Sequence, residues 1–328
     1  MPMVSLIVPV YNEHATIAHS LRTILAAADS GMRVADTRRF AEQPQVRPIE
    51  GDRLELIAVD DGSGDASAEE IRRAAASDNR IRLLSFTRNF GKEAAIQAGL
   101  VHSRGDAVIV LDCDLQHPPN LIPHMVRLWR EGWLVVDAVK QQRGNESLAA
   151  RLYANAFYAL FQRLAGLDLR GHSDFKLLDR TVVDAYLAFP ERGRFFRGLI
   201  HWSCYPSAQI AFSVPDRAGG GGSQWSRIRL LRYAIDNITS FSSMPLRIVS
   251  LLGLFTLGVG GIIGAISLIQ KFNGQAIGGF TTVILLLVLI GGAILSALGI
   301  IGHYLARLYD EVKARPGCVI KPLNREQP

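Results

Sequence analysis

The sequence predicts an α/β domain with a parallel sheet, followed by a pair of membrane-spanning helices. Two observations carry this prediction. Short apolar runs alternate with helical patterns through the first half of the chain, whereas Lys271 is the single formally charged residue between Ile248 and Ala306. The composition, 48% hydrophobic and 20% charged, is therefore the average of two unlike parts. It also excludes a disordered chain, which would lack the apolar surface needed to fold.

The strands and helices of the first half follow from the spacing of apolar residues. Runs of strand length predict four strands, at Val4–Val10, Leu54–Asp60, Ile81–Phe86 and Ala107–Leu111. Helical patterns lie between them, at Glu13–Ala28, Ala66–Ala76 and Lys92–Ser103. Because such strands are apolar almost throughout, we expect a parallel sheet covered on both faces. Ligands of these sheets bind at the carboxyl ends of the strands.

Several stretches depart from this alternation. Residues 29–53 carry prolines, glycines and many charges without a period, which predicts a long exposed insertion loop. Ser147–Ala165 has apolar residues at helical spacing, and the four glycines at 219–222 predict a hinge or loop. Arg227–Ser243 is basic and amphipathic, so we expect residues 224–245 to lie in the headgroup plane of a membrane; an ordinary surface helix is the alternative.

Two uncharged apolar runs, 248–269 and 280–302, each exceed the roughly 20 residues that cross a bilayer. Arginines precede the first run, and Arg307, Lys313 and Arg315 follow the second, while the connector holds only Lys271. Positive flanks stay in the cytoplasm. We therefore expect a cytosolic domain over 1–223, a transmembrane hairpin within 246–305 and a cytosolic tail over 306–328.

Charge and cysteine content exclude other classes. The formal net charge is +6, yet the chain has no Lys/Arg-rich block, zinc-finger spacing or RNA-binding aromatic signature, so nucleic-acid binding is not predicted. Its three cysteines are far apart and form no CxxC pair, which argues against a disulfide framework or a zinc site. A reduced cytosolic setting is expected.

Acidic residues follow two of the predicted strands. Asp60 and Asp61 close the second strand, where a carboxylate can accept hydrogen bonds from a base or ribose; a helix N-cap is the alternative. Asp112 and Asp114 close the fourth strand, where two carboxylates can share Mg²⁺ or Mn²⁺ together with nucleotide phosphates. Solvated turn residues would show the same pattern.

Between these acidic pairs, Arg88 and Lys92 stand at the start of a predicted helix. Cations beside the positive end of a helix suit phosphate binding, although a solvated basic turn is ordinary for each residue alone.

Taken together, the segments resemble family-2 glycosyltransferases of the GT-A (Rossmann-like) fold, in particular the bacterial polyprenyl-phosphate type. That type includes GtrB-like enzymes and is similar to dolichol-phosphate mannose synthase and the aminoarabinose transferase. The resemblance is carried, in the order of that family, by Val8–Glu13, Asp60–Asp65, Arg88–Lys92 and Asp112–Pro119. Later segments that match the two-span branch are Gly171–Arg180, Ser240–Arg247 and Leu308–Pro316. The likeness covers nearly the whole chain apart from the insertion.

The resemblance implies roles for individual residues. The expected nucleotide-sugar-binding residues are Pro9, Tyr11, Glu13, Asp60, Asp61, Arg88, Lys92 and Asp112. The expected catalytic residues are Asp112, Asp114 and Gln116, of which the two aspartates would hold Mg²⁺ or Mn²⁺. The acceptor phosphate would meet Arg143, Arg151 and Arg217.

The chain departs from the pattern of that family at three places. Gln224 replaces a lysine, which puts one phosphate contact in doubt, and Cys113 replaces a small alanine. His117 stands where Asp or Asn is common. We interpret it as a loop residue lining the site, with metal ligation as the alternative, since imidazole suits softer metals.

The implied activity is inverting transfer of a sugar from a UDP-hexose, with glucose favoured, to undecaprenyl phosphate on the cytoplasmic face of the bacterial inner membrane. A phosphate monoester is already an anion at neutral pH, so no general base is needed. Expected partners are the donor, the lipid, the membrane, further copies of the chain and a separate flippase. Alternatives are a GDP-mannose-dependent transferase and a membrane-tethered binding subunit without catalysis. A processive polysaccharide synthase is disfavoured because the chain lacks a Q-x-x-R-W motif.

Overall fold

The computed structural model of the protein describes residues 2–29, 53–140, 162–163, 172–212, 239, 242, 244–273 and 280–322. All or nearly all of four predicted segments lie outside these residues: the 29–53 insertion, the helix at 147–165, the glycine run at 219–222 and the amphipathic stretch at 227–243.

The first part of the chain alternates strands and helices as predicted. Its elements are β1 (Met3–Val10), α1 (Ile17–Asp29), β2 (Arg53–Asp60), α2 (Ser67–Ser77), β3 (Ile81–Ser85), α3 (Lys92–His102) and β4 (Ala107–Val110). A 3₁₀ turn (Pro119–Leu121), α4 (Ile122–Arg130), β5 (Val135–Lys140), β6 (His172–Asp179), α5 (Arg180–Ala188), α6 (Phe196–Trp202) and β7 (Ser207–Phe212) follow. Helix α1 begins four residues later than predicted because the Glu13 carbonyl first accepts from the amides of Thr16 and Ile17 in a turn.

The seven strands form one sheet in the order β3-β2-β1-β4-β6-β5-β7. The four predicted strands run parallel to one another, as expected. Strand β6, which the sequence analysis did not assign, runs antiparallel to β4 and β5 and makes the sheet mixed. The polar residues Asp137 and Lys176 interrupt the apolar pattern of β5 and β6, so the sequence did not predict these two strands. In the structure, Asp137 and Lys176 form an ion pair inside the fold.

The core lies between the sheet and its helices. In β1 every residue from Val4 to Val10 is buried, as a strand covered on both faces requires. Helix α1 contributes Ile17, Leu21, Ile24 and Ala28, whose spacing of three and four residues places them on one face. Strand β1 is thus an interior strand, flanked by β2 and β4, and the functional residues follow its carboxyl end.

By contacts the chain divides into two compact units. One comprises Met1–Ala159, Leu167–Ser223 and Pro316–Pro328, and the other comprises Leu160–Gly166 and Gln224–Arg315. The second unit contains two long helices, α7 (Met244–Phe272) and α8 (Phe280–Lys313). By length and composition both are candidate membrane spans, and large apolar side chains such as Leu257 and Leu295 are each 72% exposed. A bilayer would cover this surface.

Candidate active site

A cavity of about 350 Å³ opens at the carboxyl ends of β1 and β4. The chain steps from β1 out to β3 and then returns to place β4 on the other side of β1, so the strand order reverses between these two strands. Loops leave the sheet in opposite directions at such a point, and the crevice between them is where α/β sheets bind ligands. The cavity is lined by Pro9, Val10, Tyr11, Glu13, Asp61, Asn89, Gly91, Lys92, Asp112, Cys113 and Asp114.

The segment after β4 brings together three side chains able to hold a metal ion. Ligand atoms of Asp112, Asp114 and His117 all lie within 4.8 Å of one another. The His117 Nδ1 atom is 3.6 Å from Asp112 Oδ2 and, among the described residues, is a buried nitrogen without a hydrogen-bond partner. A buried polar atom in that state is costly. A cation shared with the two carboxylates would satisfy it, so this donor set fits a divalent ion.

The surroundings of His117 favour a neutral imidazole. Its ring centroid lies 5.6 Å from those of Phe175 and Phe212. Burial among such groups lowers the pKa of His117 and outweighs the opposing effect of Asp112. A neutral ring keeps a lone pair for a metal. The sequence analysis interpreted His117 as a loop residue; its position beside both carboxylates favours the ligand alternative.

The backbone between these ligands is strained. Leu115, which follows Asp114, has a φ of 54°, in the left-handed region that L side chains seldom adopt. The backbone amide of Gln116 then donates to Asp114 Oδ1 at 3.1 Å. This turn therefore fixes the direction of the Asp114 carboxylate. Strain of this kind tends to collect where a particular side-chain geometry is needed.

Lys92, the first residue of α3, forms ion pairs with Asp112 of this cluster and with Asp174, a carboxylate outside it. Its Nζ atom is 2.6 Å from Asp112 Oδ1 and 2.7 Å from Asp174 Oδ2. Burial opposes the charge on the ammonium, but the two carboxylates outweigh it and raise the pKa of Lys92 above its ordinary value. A permanent cation therefore stands beside the cluster, at the positive end of a helix.

Asp174 is itself held by two cations. Arg197, on α6, approaches its Oδ1 atom at 3.0 Å, while Lys92 occupies Oδ2. Burial alone would raise the pKa of Asp174, yet the two cations reverse this and lower it far below its usual range. Neighbouring Glu93 accepts from the amide of Phe196, and burial, reinforced by the Asp174 charge, raises the pKa of Glu93 to about 7.

The two aspartates at the end of β2 support the loop that follows β3. Asp60 is fully buried, and its oxygens accept from the Ser63 amide at 3.0 Å and from the Ser85 hydroxyl at 2.6 Å. Asp61 accepts from the amides of Phe90 and Gly91 at 2.7 and 2.9 Å. Both carboxylates therefore determine where the 86–91 loop lies against the cavity.

Gly62 permits the close approach of this loop. Its φ is 67°, and a Cβ atom built there would lie 2.6 Å from the Arg88 carbonyl oxygen and 2.7 Å from Arg88 Cα. A glycine is thus required for both its conformation and its size. The Arg88 side chain lies over the ring of Phe90, with Cζ 4.2 Å from the ring centroid.

The turn after β1 forms the opposite wall. Asn12 has a φ of 55°, and its side chain accepts from the Gly64 amide at 2.9 Å. The Glu13 amide donates to the Ser67 hydroxyl at 2.8 Å. These bonds tie the β1 turn to the β2 turn, so Tyr11, which is 49% exposed, is presented beside the cavity.

Most of the described residues predicted for the site converge on the cavity. Those that line it are Pro9, Tyr11, Glu13, Asp61, Lys92, Asp112 and Asp114. Asp60, Arg88 and Gln116 are outside the lining and adjoin it through the contacts given above. The predicted acceptor residues Arg143, Arg151 and Arg217, and the departure at Gln224, lie outside the described residues.

Sequence reasoning missed Arg197. It sits in a short helix far along the chain, and only the fold brings it to Asp174. Asp174 is occupied by ion pairs with Lys92 and Arg197, which suits a structural role. The sequence marks neither residue, because β6 carries His172, Lys176 and Asp179 besides Asp174, so this carboxylate does not stand out.

The Rossmann-like sheet, with paired carboxylates and a lysine at its switch point, is that of a glycosyltransferase of the GT-A fold. The profile of glycosyl transferase family 2 matches residues 5–187, and the chain belongs to this family. It is a glycosyltransferase.

Relatives align with the chain over almost its full length. The SfII prophage-derived bactoprenol glucosyl transferase of Shigella flexneri is 34% identical over 327 residues, covering 99% of each protein. The prophage bactoprenol glucosyl transferase homolog of Escherichia coli (strain K12) is 33% identical over 324 residues, covering 98% of this chain and 99% of its own. A solved structure, glucosyl-3-phosphoglycerate synthase from Mycobacterium tuberculosis, is 20% identical over 74% of this chain and 80% of its own; its TM-score of 0.45 supports no inference about substrate.

Proposed function

We propose that the protein transfers a hexose from a UDP-sugar, with glucose favoured, to polyprenyl phosphate, and so makes a lipid-phosphate-linked sugar. The observation that carries this proposal is the cluster of Asp112, Asp114 and His117 beside Lys92, in a cavity at the switch point of the sheet. The full-length similarity to proteins named bactoprenol glucosyl transferases supports the lipid acceptor and the glucosyl group.

The donor half of the reaction needs positive charge near the leaving diphosphate. Asp112, Asp114 and His117 would hold Mg²⁺ or Mn²⁺, which when bound neutralises charge growing on that diphosphate. Lys92 adds a fixed cation at the N-terminus of α3. Asp61 and Gly62 position the Arg88–Lys92 loop beside the phosphates, and Pro9, Tyr11 and Glu13 supply the wall opposite.

The acceptor half does not need a base from the protein. A phosphate monoester has its second pKa near ~6, so it is mostly dianionic at neutral pH and can attack the anomeric carbon directly. Asp174, the buried carboxylate closest to Lys92, is a weak base because Lys92 and Arg197 hold its pKa low. We therefore assign a single displacement with inversion, in which Arg143, Arg151 and Arg217 bind the acceptor phosphate.

The membrane part of the proposal rests on helices α7 and α8. Their length and apolar composition support a two-span anchor, and basic flanks support a cytoplasmic catalytic unit and C-terminus. Such an anchor would keep the enzyme at the membrane that holds its lipid acceptor. Assembly into a homo-oligomer through the anchor, and export of the product by a separate flippase, complete the proposal.

The activity is tested with the full-length protein in detergent, undecaprenyl phosphate, Mn²⁺ or Mg²⁺, and UDP-glucose or GDP-mannose labelled in the sugar. Extraction of labelled lipid from UDP-glucose is the expected result. Asp114→Asn should abolish transfer, whereas Asp184→Asn, on the exposed face of α5, should not. Label in the lipid from GDP-mannose alone would overturn the assigned donor, and unlabelled lipid with every common nucleotide-sugar would overturn the proposed function.

The topology is tested with Gln275→Cys, which places an accessible cysteine between the two apolar runs. Cys204 and Cys318 are replaced by serine, and Cys113 is buried. A membrane-impermeant maleimide should label intact cells. Labelling that requires broken cells would overturn the cytoplasmic assignment of the catalytic unit.

A further inference from the structure

The C-terminal segment pairs with the edge of the catalytic sheet. Strand β3 is the first in the sheet order, so among the described strands β2 is its one neighbour. The Thr87 amide donates to the Val319 carbonyl at 2.9 Å, and the Lys321 amide donates to the Ser85 carbonyl at 2.7 Å. Phe86 and Ile320 form an antiparallel bridge between these two bonds. We call residues 316–322 the tail strand.

The residues that receive the tail strand are held from the other side by the end of β2. The Ser85 hydroxyl donates to Asp60 Oδ2 at 2.6 Å, and the Phe86 amide donates to the Asp60 carbonyl at 2.9 Å. The Phe86 side chain is fully buried. Residues 85–87 are therefore held between the end of β2 and the tail strand.

This segment leads directly into the loop that borders the cavity. Arg88 passes over Gly62, Asp61 accepts from the amides of Phe90 and Gly91, and Lys92 begins α3 beside Asp112. Asp61 thus holds the far end of the loop, while the tail strand and Asp60 hold the near end. Burial and, secondarily, the Asp61 charge raise the pKa of the Cys318 thiol.

We infer that the tail strand is a positioning element of the donor site: it holds residues 85–87 so that the Arg88–Lys92 loop keeps the geometry in which it meets the nucleotide diphosphate. The inference rests on the proposed function in that the cavity takes a nucleotide-sugar. The tail strand acts through backbone bonds, so its contribution depends on N–H and C=O groups rather than on its side chains.

The test removes one backbone donor from the full-length protein. Lys321→Pro deletes the amide that donates to Ser85, and proline suits the extended conformation before it. Lys321→Ala is the matched control, because it keeps that amide and removes the charge. A chain ending at Pro322 is the second control, and one ending at Arg315 lacks the whole tail strand. Binding of UDP in the presence of Mn²⁺ is measured by calorimetry, and hydrogen exchange of the 85–92 amides is measured in parallel.

Lys321→Pro is expected to raise the UDP dissociation constant roughly tenfold, equivalent to about 1.4 kcal/mol, with both controls within about twofold of the parent. Deletion after Arg315 should cause a larger loss, speed exchange at Thr87, and be reversed by an added peptide of residues 314–328. Unchanged UDP affinity in Lys321→Pro and in the Arg315 deletion would overturn the inference while leaving the proposed function intact. Failure of the parent to bind UDP would overturn the proposed function. In that case, hydrogen exchange of the amides of residues 87–91 that is unchanged by the deletion after Arg315 would overturn the positioning role as well.

Discussion

Replacing Gly62 by alanine should damage the donor site by pushing the Arg88 backbone out of place. The new methyl group would lie 2.6 Å from the Arg88 carbonyl oxygen and 2.7 Å from Arg88 Cα, and backbone atoms cannot rotate aside as a flexible side chain can. The φ of 67° adds a second penalty, because alanine is strained in the left-handed region.

The contributions of backbone strain and of overpacking to the lost stability can be separated by substituting two other glycines of the same region. Left-handed strain contributes about 1–2 kcal/mol, and forced overpacking adds about 1–3 kcal/mol. Gly91 has a φ of 97° and a ψ of 158°, a region that essentially only glycine adopts, and no atom lies within 4 Å of its built Cβ, so Gly91→Ala should show backbone strain alone, about 1–3 kcal/mol. Gly64 has neither feature, so Gly64→Ala should leave the free energy of unfolding nearly unchanged. Gly62→Ala should lose about 2–5 kcal/mol, the sum of both terms.

Thermal unfolding of the full-length protein, followed by tryptophan fluorescence, measures the relative stabilities of these three variants. A unit of this size loses about 2–4 °C in Tm per kcal/mol, so Gly62→Ala should fall by at least about 4 °C and lie below Gly91→Ala. The dissociation constant for UDP with Mn²⁺ should rise in Gly62→Ala even at temperatures where it is folded. A Tm for Gly62→Ala equal to that of Gly64→Ala would refute the reasoning, since the close approach to Arg88 would then be absent.

Three further outcomes follow from the site. Asp114→Asn removes a charged oxygen from an exposed position, so calorimetry should show roughly tenfold or weaker Mn²⁺ binding with an unchanged Tm; retained metal affinity would exclude Asp114 as a ligand. Asp61→Asn replaces one acceptor of the Phe90 and Gly91 amides by a donor, which should cost about 1–3 kcal/mol in denaturant unfolding and weaken UDP binding. Burial and the Asp174 charge raise the pKa of Glu93 from 4.5 to about 7, so the folded state holds the extra proton and its stability falls as pH rises through this window. Glu93→Gln should therefore raise the free energy of unfolding above pH 7 by an amount on the order of 1–3 kcal/mol, and match the parent below about pH 4.5; a pH-independent difference would contradict the shift.

The sequence predicted the part of the fold in which apolar patterning is uninterrupted. The four parallel strands and the apolar runs within α7 and α8 were found because strands buried on both faces and membrane-length helices are read from composition alone. Strands β5 and β6 were not found, because they carry Asp137 and Lys176 at buried positions, and β7 was also not assigned. An ion pair between two strands cannot be recognised until their register is known, since neither residue marks its partner along the chain.

The candidate site shows the same division at the level of single side chains. The resemblance of the motifs, in their order along the chain, to a known family predicted Asp112, Asp114 and Lys92 for one donor site, and parallel strands bring them to one edge of the sheet. Residue type did not reveal how Asp60 and Asp61 differ. The first is enclosed and supports Ser85, while the second lines the cavity and holds the loop amides.

By itself, the sequence determined the family, the alternation of strands and helices, the two apolar helices and the segments that supply the site. These depend on local periodicity and on the spacing of motifs, which folding does not alter. Only the tertiary structure decided that Arg197 and Lys92 share Asp174, and that the tail strand bonds to Ser85 and Thr87 at the end of β3. Each of these contacts joins elements whose separation along the chain carries no signal, and distance and burial, which set the strength of charges and hydrogen bonds, exist only after the chain has packed.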